Sequence, residues 1–184
     1  AGTFSRLKER FPNSTAMLEV FEGACYRGML RPTKCIPAVR VLLLGQPGIG
    51  KTHALEDLTA GLGLHIHRLS MNGQVGAFEL RGLGRHWRNP HPGAVAKCFR
   101  DSPVANPVFL LDELDKGRTN SSDYGSSIDT LLDLLEGVNA KAFRDECLDL
   151  PIDARHAIFV ATANDVTRLP EPLVSRFTTI EIKA

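Results

Sequence analysis

The chain has 184 residues, of which 43% are hydrophobic and 23% charged, and its formal net charge at pH 7 is +1. This length suits one domain with a substantial core, and the charge balance excludes a global electrostatic field directed at nucleic acid or a membrane surface. Because the sequence has no apolar run of about 18 residues and no signal-peptide pattern at its start, we expect a soluble, cytoplasmic protein.

Residues 1–38 are predicted to form a helical N-terminal extension. The segment 13–15 (Asn-Ser-Thr) can cap a helix in which apolar residues recur every three to four positions, namely Met17 or Leu18, Phe21 and Cys25. This stripe predicts that the helix packs on the core.

From Val39 onwards, strand and helix patterns alternate, as in a parallel α/β sheet. Apolar runs predict five strands, at 40–44, 64–69, 107–111, 157–161 and 178–182. Helices are predicted at 51–61, 94–101 and 127–136, the last capped by Ser126 or Ser127 and stopped by Gly137. Two long segments, 71–93 and 115–126, are predicted to be irregular, and loops of that length often carry function.

The first predicted strand leads into a complete G-x-x-x-x-G-K-[ST] pattern, formed by Gly45, Gln46, Pro47, Gly48, Ile49, Gly50, Lys51 and Thr52. Its glycines and proline bend the backbone into a nest of N–H groups that faces phosphate oxygens, and the following helix adds its positive end. Lys51 supplies a positive charge for the phosphates, and Thr52 a hydroxyl ligand for Mg²⁺. Since a strand precedes the pattern and a helix follows it, we interpret it as a nucleotide site rather than a chance match.

Two further strands end in polar residues at the same edge of the predicted sheet. Asp112 and Glu113 follow the third strand, where Asp112 can share Mg²⁺ with Thr52 and Glu113 can orient the attacking water. Asn164 follows the fourth strand, and its amide can hold the water or contact the γ-phosphate. Without the upstream phosphate loop, a helix cap and a turn would be the better interpretations of these residues.

Together these motifs resemble the AAA+ ATPases over about residues 40–182. The segments whose sequence is most similar to the Lon family of ATP-dependent proteases are 44–52, 109–116, 159–164 and 169–176. The resemblance implies a three-layer α/β P-loop NTPase fold with a five-stranded, mostly parallel sheet, in which 39–184 form the large nucleotide-binding subdomain. We expect the small helical subdomain, its second sensor arginine and any peptidase domain to lie outside these residues.

The resemblance also implies a role for each polar motif residue: Lys51 and Thr52 form the Walker A pair, Asp112 and Glu113 the Walker B pair, and Asn164 is sensor 1. Arg176 occupies the arginine-finger position, from which it would reach the γ-phosphate held by a neighbouring subunit. The alternative for Arg176 is an ordinary surface charge. A hexameric ring that uses ATP and Mg²⁺ is therefore expected of the full-length protein, and a monomer of these 184 residues alone.

In Lon-type sequences an Arg-Gly pair precedes an aromatic residue on the loop that lines the central pore. Here Arg81 and Gly82 lead to Trp87 with the same spacing, so Trp87 is expected to grip unfolded polypeptide. Arg88 follows it, where family members usually have an apolar residue, and this leaves the substrate preference open. Family members usually have a Tyr-Gly pair before the first strand, where it helps to enclose adenine. This chain lacks the pair, so no adenine pocket is assigned.

The sequence therefore predicts an ATP hydrolase that drives unfolding, translocation or remodelling of protein substrates, as the motor part of a Lon-like protease. Two alternatives stay open: a nucleotide-dependent assembly switch, and an AAA+ loader associated with nucleic acid. The second would use a patch made of Arg81, Arg85, Arg88, Arg100 and Trp87. The balance of acids and bases argues against nucleic acid, and no membrane partner is expected.

Four cysteines, Cys25, Cys35, Cys98 and Cys147, are widely spaced and contain no C-x-x-C pair. They are predicted to be reduced, partly buried thiols rather than disulfides or zinc ligands. His86 and His91 lie upstream of Cys98, but their spacing matches no standard ligand pattern, and we assign no metal there.

Overall fold

The computed structural model describes residues 2–32, 35–72, 76–117 and 126–183. Their strands are β1 Arg40–Leu44, β2 Ile66–Ser70, β3 Val108–Asp112, β4 Phe143–Asp145, β5 Leu150–Ile152, β6 Ile158–Ala163 and β7 Thr178–Glu181. Their α-helices are α1 Gly2–Arg10, α2 Thr15–Met29, α3 Lys51–Leu62, α4 Ala77–Arg81, α5 Ala94–Asp101, α6 Ser127–Leu135, α7 Gly137–Ala140 and α8 Glu171–Val174. Short 3₁₀ helices occupy Pro12–Ser14, Leu114–Lys116 and Val166–Arg168.

Five strands form one sheet in the order β2-β3-β6-β1-β7, and every neighbouring pair is parallel. The predicted five-stranded parallel sheet is thus confirmed, with strand ends shifted by one or two residues. In this order β1, β3 and β6 lie at the centre, and β6 separates the other two. Their carboxyl ends therefore open onto one edge of the sheet.

The central strands are apolar on both faces because helices cover both. On one face, side chains of β1, β3 and β6 pack against α1, α2 and α3, with Val41, Leu110 and Val160 completely buried. On the other, Leu42, Phe109 and Phe159 belong to a second cluster with α4, α5, α6 and α8. Each such side chain contributes about 1.5–3 kcal/mol through burial. The molecule is a three-layer α/β structure.

The N-terminal helices form part of the first of these layers. Phe4 and Leu7 of α1 and Met17, Leu18 and Phe21 of α2 are buried in the same cluster as the β1 side chains. The predicted apolar stripe of α2 thus faces the sheet, although Cys25 is only partly buried. Helix α1 was not predicted.

Helix α6 is capped as predicted, since the Ser126 Oγ accepts a hydrogen bond from the Asp129 N–H. The prediction that Gly137 stops this helix is wrong. The chain leaves helical geometry at Glu136, whose φ and ψ are −93° and 120°, and Gly137 instead begins α7. Among the described helices, none combines the length and apolar character needed to cross a bilayer.

Candidate nucleotide site

A cavity of about 660 Å³ opens at the carboxyl edge of the sheet. It is bordered by residues from four strand ends and from the start of α3: Pro47, Gly48, Ile49, Gly50, Lys51, Thr52, His53, Arg68, Ser70, Asp112, Glu113, Thr162, Ala163 and Asn164. The predicted phosphate loop, both predicted acids and Asn164 therefore meet around one space.

The phosphate loop connects β1 to α3 with two glycines in left-handed backbone conformations. Gly48 has a φ of +80° and Gly50 a φ of +86°, a region that side chains with a Cβ rarely adopt. Gly50 is the N-cap of α3, and no side chain caps the first turn of that helix. The N–H groups of this turn thus remain available to an anion, which would also benefit from the helix dipole.

Lys51 is buried, with a relative exposure of 9%, and its ammonium group lies inside the loop. The Nζ donates to the carbonyl oxygens of Gly45 at 2.5 Å and Gln46 at 3.1 Å, and to Asn164 Oδ1 at 3.3 Å. Burial lowers the pKa of Lys51, while the charges of Asp115 and Asp112 oppose that shift. The loop thus holds the Lys51 ammonium group beside the cavity through protein oxygens alone.

Asp112 ends β3 and is fixed by the neighbouring strand. Its Oδ1 accepts a hydrogen bond from Thr162 Oγ1 at 2.6 Å, and the same hydroxyl oxygen accepts from the Glu113 N–H at 2.9 Å. Burial favours the neutral acid, but hydrogen bonds from Thr162 and Arg68 outweigh it, so the pKa of Asp112 lies below its usual range. Asp112 is therefore an ionised carboxylate at the cavity wall, which is the ligand type that Mg²⁺ prefers.

Glu113 has a φ of 56°, one of two positive values among the non-glycine residues that the structure describes. Such a conformation costs free energy and is common at active sites. The Glu113 carboxylate forms an ion pair with Lys116, one turn later. It borders the cavity, but a role in orienting water would require release from Lys116.

Asn164 follows β6 directly, and its backbone is held by a buried acid. Asp115 Oδ2 accepts hydrogen bonds from the N–H groups of Asn164 and Asp165, both at 3.2 Å. Asn164 can therefore direct its amide at Lys51 across the cavity rather than forming an ordinary turn. The sequence did not single out Asp115 or Thr162, which both position motif residues.

Arg68 is the other residue of the site that sequence reasoning missed. It lies on β2, and its guanidinium forms an ion pair with Asp112, with Nε at 3.2 Å from Oδ2. Its side chain is 56% exposed, so the pair is open to solvent. Arg68 therefore occupies one of the two oxygens through which Asp112 would hold a cation.

The N-terminal segment also contacts the phosphate loop. Asn13 Nδ2 donates to the Ile49 carbonyl at 3.1 Å, and the Phe11 ring meets the His53 ring edge-on at 5.4 Å. Arg10 pairs with Asp57 on α3. No adenine pocket had been assigned from the sequence, and these contacts place the 10–13 segment beside the loop.

Arg176 does not border this cavity. It follows α8 and pairs with Glu136, and its side chain is 39% exposed. A role within the same subunit's site therefore has no support in the described contacts.

Trp87 lies at the tip of a loop that is closed at its base. Leu83 and His91 pair across the base, with Leu83 N–H to His91 O at 2.8 Å, and the Asp145 carboxylate accepts from the Gly93 N–H at 2.8 Å. A Cβ on Gly93 would lie 2.2 Å from the Leu80 carbonyl, so only glycine fits there. Trp87 is 43% exposed and Arg88 is exposed, so the prediction that Trp87 is not a core residue agrees with its position.

The segment 71–93 was predicted to be irregular, but it contains α4 before this loop. Most of the other predicted irregular segment, 115–126, lies outside the described residues.

Three of the four arginines in the possible nucleic-acid patch have protein partners. Arg81 pairs with Asp133 and lies over the Phe143 ring, Arg100 pairs with Asp101, and Arg85 Nε donates to the Cys147 carbonyl at 3.1 Å. These contacts compete with phosphate binding and weaken the nucleic-acid alternative.

Comparison with known proteins agrees with this geometry. The family described as ATPase family associated with various cellular activities (AAA) matches residues 41–183. The chain is 35% identical to Lon protease 1 of Borreliella burgdorferi over 157 residues, which are 85% of the chain and 19% of that protein. It is 33% identical to Lon protease 1 of Thermus thermophilus over 177 residues, covering 96% of the chain and 21% of that protein.

Spinach (Spinacia oleracea) Lon protease homolog 2, peroxisomal, is 38% identical over 139 residues, covering 76% of the chain and 15% of that protein. The chain thus spans about a fifth or less of the length of these relatives. Among solved structures, a closed-state cryo-EM reconstruction of Hsp104 with ATPγS and FITC casein superposes with a TM-score of 0.75 at 14% identity. That match covers 98% of the chain and 35% of the Hsp104 chain. This last likeness concerns the fold alone.

Proposed function

The chain belongs to the AAA family of ATPases, and from that premise we propose that it binds and hydrolyses Mg·ATP to unfold, translocate or remodel polypeptides as the motor part of a Lon-like protease. The observation that carries this proposal is the meeting of Lys51, Asp112 and Asn164 around one cavity at the carboxyl edge of the sheet. Three separate strand ends deliver these groups, so their convergence is a property of the fold.

The residues around the cavity fit the phosphates of ATP. Left-handed Gly48 and Gly50, the uncapped first turn of α3 and the Lys51 ammonium together present N–H groups and positive charge. These are the donors that oligophosphates require. We infer that an incoming phosphate replaces the Gly45 and Gln46 carbonyls as the partner of Lys51.

The Asp112 carboxylate and Thr52 hydroxyl fit Mg²⁺, which takes hard oxygen ligands. Thr52 and Asp112 both border the cavity, and Asp112 is ionised. When bound, Mg²⁺ neutralises charge on the phosphate oxygens. Arg68 contacts Oδ2 of Asp112. We expect Arg68 to leave this oxygen when the cation binds to it.

For the chemical step we assign Glu113 to hold and polarise the attacking water, and Asn164 to contact the γ-phosphate. The left-handed backbone of Glu113 fixes its Cα at the end of β3, and release from Lys116 would turn its carboxylate to the cavity. Asn164 already faces Lys51.

We assign Arg176 to the site of a neighbouring subunit, as an arginine finger that stabilises transition-state charge. Its absence from the border of its own subunit's cavity and its place on the exposed surface are compatible with that role. The proposal therefore includes a ring, hexameric by analogy with the family, in the full-length protein. The 184 residues alone should be mainly monomeric, as light scattering with and without ATP would measure.

We propose that Trp87 contacts the polypeptide substrate, and that Arg88 beside it changes which substrate sequences are preferred. A partly exposed indole on a loop with a fixed base can pack between the side chains of an unfolded chain with little sequence preference. We also propose that the protein works in the cytoplasm.

Glu113→Gln tests the catalytic assignment. The variant should bind ATP with parental affinity, measured with a fluorescent nucleotide, and should lose turnover by about 100-fold or more in a single-turnover assay with labelled ATP. Glu181→Gln, an exposed change on β7, is the matched control. Parental hydrolysis by the Glu113 variant would contradict the assignment.

ATP binding that drives assembly without hydrolysis in the parental protein would favour the assembly switch instead. Salt-dependent binding to single-stranded DNA would favour the loader.

A further inference from the structure

A second group of ligand-capable side chains lies between the edge strand β2 and helix α5. His67 lies on β2 and His65 directly precedes that strand, so one residue separates the two histidines and both project to the same face of the sheet. Cys98 is on α5, which packs against that face. Imidazole nitrogens of both histidines and the Cys98 Sγ all lie within 4.8 Å of one another.

These donors converge without a competing protein partner. Within the described ranges, no hydrogen bond engages the ring nitrogens of His65 or His67 or the thiol of Cys98, and Cys98 forms no disulfide. Cys98 is completely buried and both histidines are partly buried. The three ligand atoms are therefore not committed to other groups in the described part of the chain, which leaves them free to coordinate one shared ion.

We propose that His65, His67 and Cys98 bind a divalent d-block cation, for which Zn²⁺ is the best match. Two imidazoles and one thiolate are ligands that Zn²⁺ takes in proteins, and neighbouring ligand atoms of a tetrahedral zinc site lie about 3.3–3.7 Å apart. Separations within 4.8 Å need side-chain adjustments of at most about 1 Å to reach that geometry. Hard cations such as Mg²⁺ prefer oxygen ligands and are not expected here.

The charges around the three donors suit such a cation. Asp101 lies one helical turn after Cys98, and its carboxylate interacts electrostatically with both histidines. Lys97 is the opposing charge near His67. One thiolate ligand offsets half of a charge of +2, and Asp101 shares its carboxylate with Arg100. The fourth coordination position is left to water.

Binding releases one proton. Burial raises the pKa of Cys98 to about 12, so the metal-free thiol is protonated at neutral pH. On binding, the S–H bond breaks, the proton goes to solvent and a sulfur–metal bond forms, while both imidazoles bind in their neutral form. No electron transfer is involved.

The cation would link strand β2, at the edge of the sheet, to helix α5. β2 is an edge strand whose single strand neighbour is β3, and α5 follows the loop that carries Trp87. A cation at 100 times its dissociation constant would raise the melting temperature by about 5 °C or more.

Titration with Co²⁺ is the direct test, because a thiolate ligand gives a charge-transfer band in the near ultraviolet and tetrahedral geometry gives intense visible bands. Excess Mg²⁺ keeps the oxygen ligands of the nucleotide cavity occupied, so the readout is independent of ATP hydrolysis. The 184-residue chain should bind one Co²⁺, and Zn²⁺ should displace it.

Cys98→Ala should abolish the charge-transfer band, and His67→Gln should weaken Co²⁺ binding by about 100-fold or more. Cys147→Ala and His86→Gln, at positions outside the cluster, should leave the spectrum unchanged. Because Cys98 is buried and its variant can fold poorly, His65→Gln and His67→Gln, at partly buried positions, provide the second pair of variants, with circular dichroism as the folding check.

Absence of the charge-transfer band in the parental chain would overturn the proposal. So would a band that survives both Cys98→Ala and His67→Gln, or one that is lost in the Cys147→Ala control. Either of the last two outcomes would assign the thiolate to another cysteine.

Discussion

The Thr162 hydroxyl donates to Asp112 Oδ1 over 2.6 Å and thereby joins the ends of β6 and β3 at the nucleotide cavity. The same oxygen accepts from the Glu113 N–H, so one buried side chain orients both acids. Thr162→Val keeps the shape of the side chain but removes both hydrogen bonds. We expect a loss of about 1–3 kcal/mol in the free energy of unfolding, from denaturant titration, together with weaker Mg²⁺-dependent nucleotide binding.

Thr179→Val, on the exposed side of β7, is the control for that experiment, since its hydroxyl has no such partners in the described structure. Equal stability losses in the two variants would show that the effect of Thr162→Val does not come from the lost contacts with Asp112 and Glu113.

Lys51→Ala should weaken ATP binding by about 10- to 100-fold, which corresponds to the 1.5–3 kcal/mol of a charge-assisted hydrogen bond. Fluorescent nucleotide titration measures this change. Lys141→Ala, at an exposed position outside the cavity, should bind normally. Parental affinity in the Lys51 variant would exclude the phosphate loop as the binding site.

Arg68→Gln should reduce the Mg²⁺ concentration needed for half-maximal ATP binding by about 2- to 5-fold. The reason is that Arg68 and the cation compete for Asp112, and a half-exposed ion pair contributes only about 0.2–1 kcal/mol. Arg155→Gln, which breaks the exposed pair with Asp153, should not change the Mg²⁺ requirement. A higher requirement in the Arg68 variant would indicate that this guanidinium assists phosphate binding.

Trp87→Ala should lower the free energy of unfolding by only about 1 kcal/mol, because the side chain is partly exposed on a loop whose base is held by other residues. In the assembled, ATP-bound protein it should lose binding of a labelled unfolded polypeptide, measured by fluorescence anisotropy. Trp87→Phe should keep it. Unaltered polypeptide binding in the alanine variant would favour the assembly switch.

The sheet and the motif positions could be predicted because their signals are local. Apolar runs of four or five residues mark β1, β3 and β6. Asp112, Glu113 and Asn164 stand at the end of their strands or directly after them, and Lys51 follows β1 within one short motif. Helix α1 was missed because only Phe4 and Leu7 bury apolar surface, too few to give a clear period. The β4–β5 pair was missed because each strand has three residues and β5 contains Pro151.

The remaining site residues could not be predicted because their roles depend on register between distant segments. Arg68 is an ordinary strand residue until the parallel pairing of β2 with β3 places Ser70 opposite Asp112. Cys98 was considered with His86 and His91 because these are near it in sequence, whereas packing of α5 on β2 brings it to His65 and His67. Neither pairing leaves a spacing signal in the chain.

The packing of α1 and α2 on the sheet has a practical consequence for anyone who trims this protein. The family match begins at residue 41, which invites a shorter version without the first forty residues. Such a version would lose two of the three helices that cover one side of the sheet, where Val41, Leu43 and Leu110 are now completely buried. A partly uncovered apolar face of that kind attracts other copies of itself. Trimmed preparations should therefore aggregate, and their behaviour would say nothing about the enzyme.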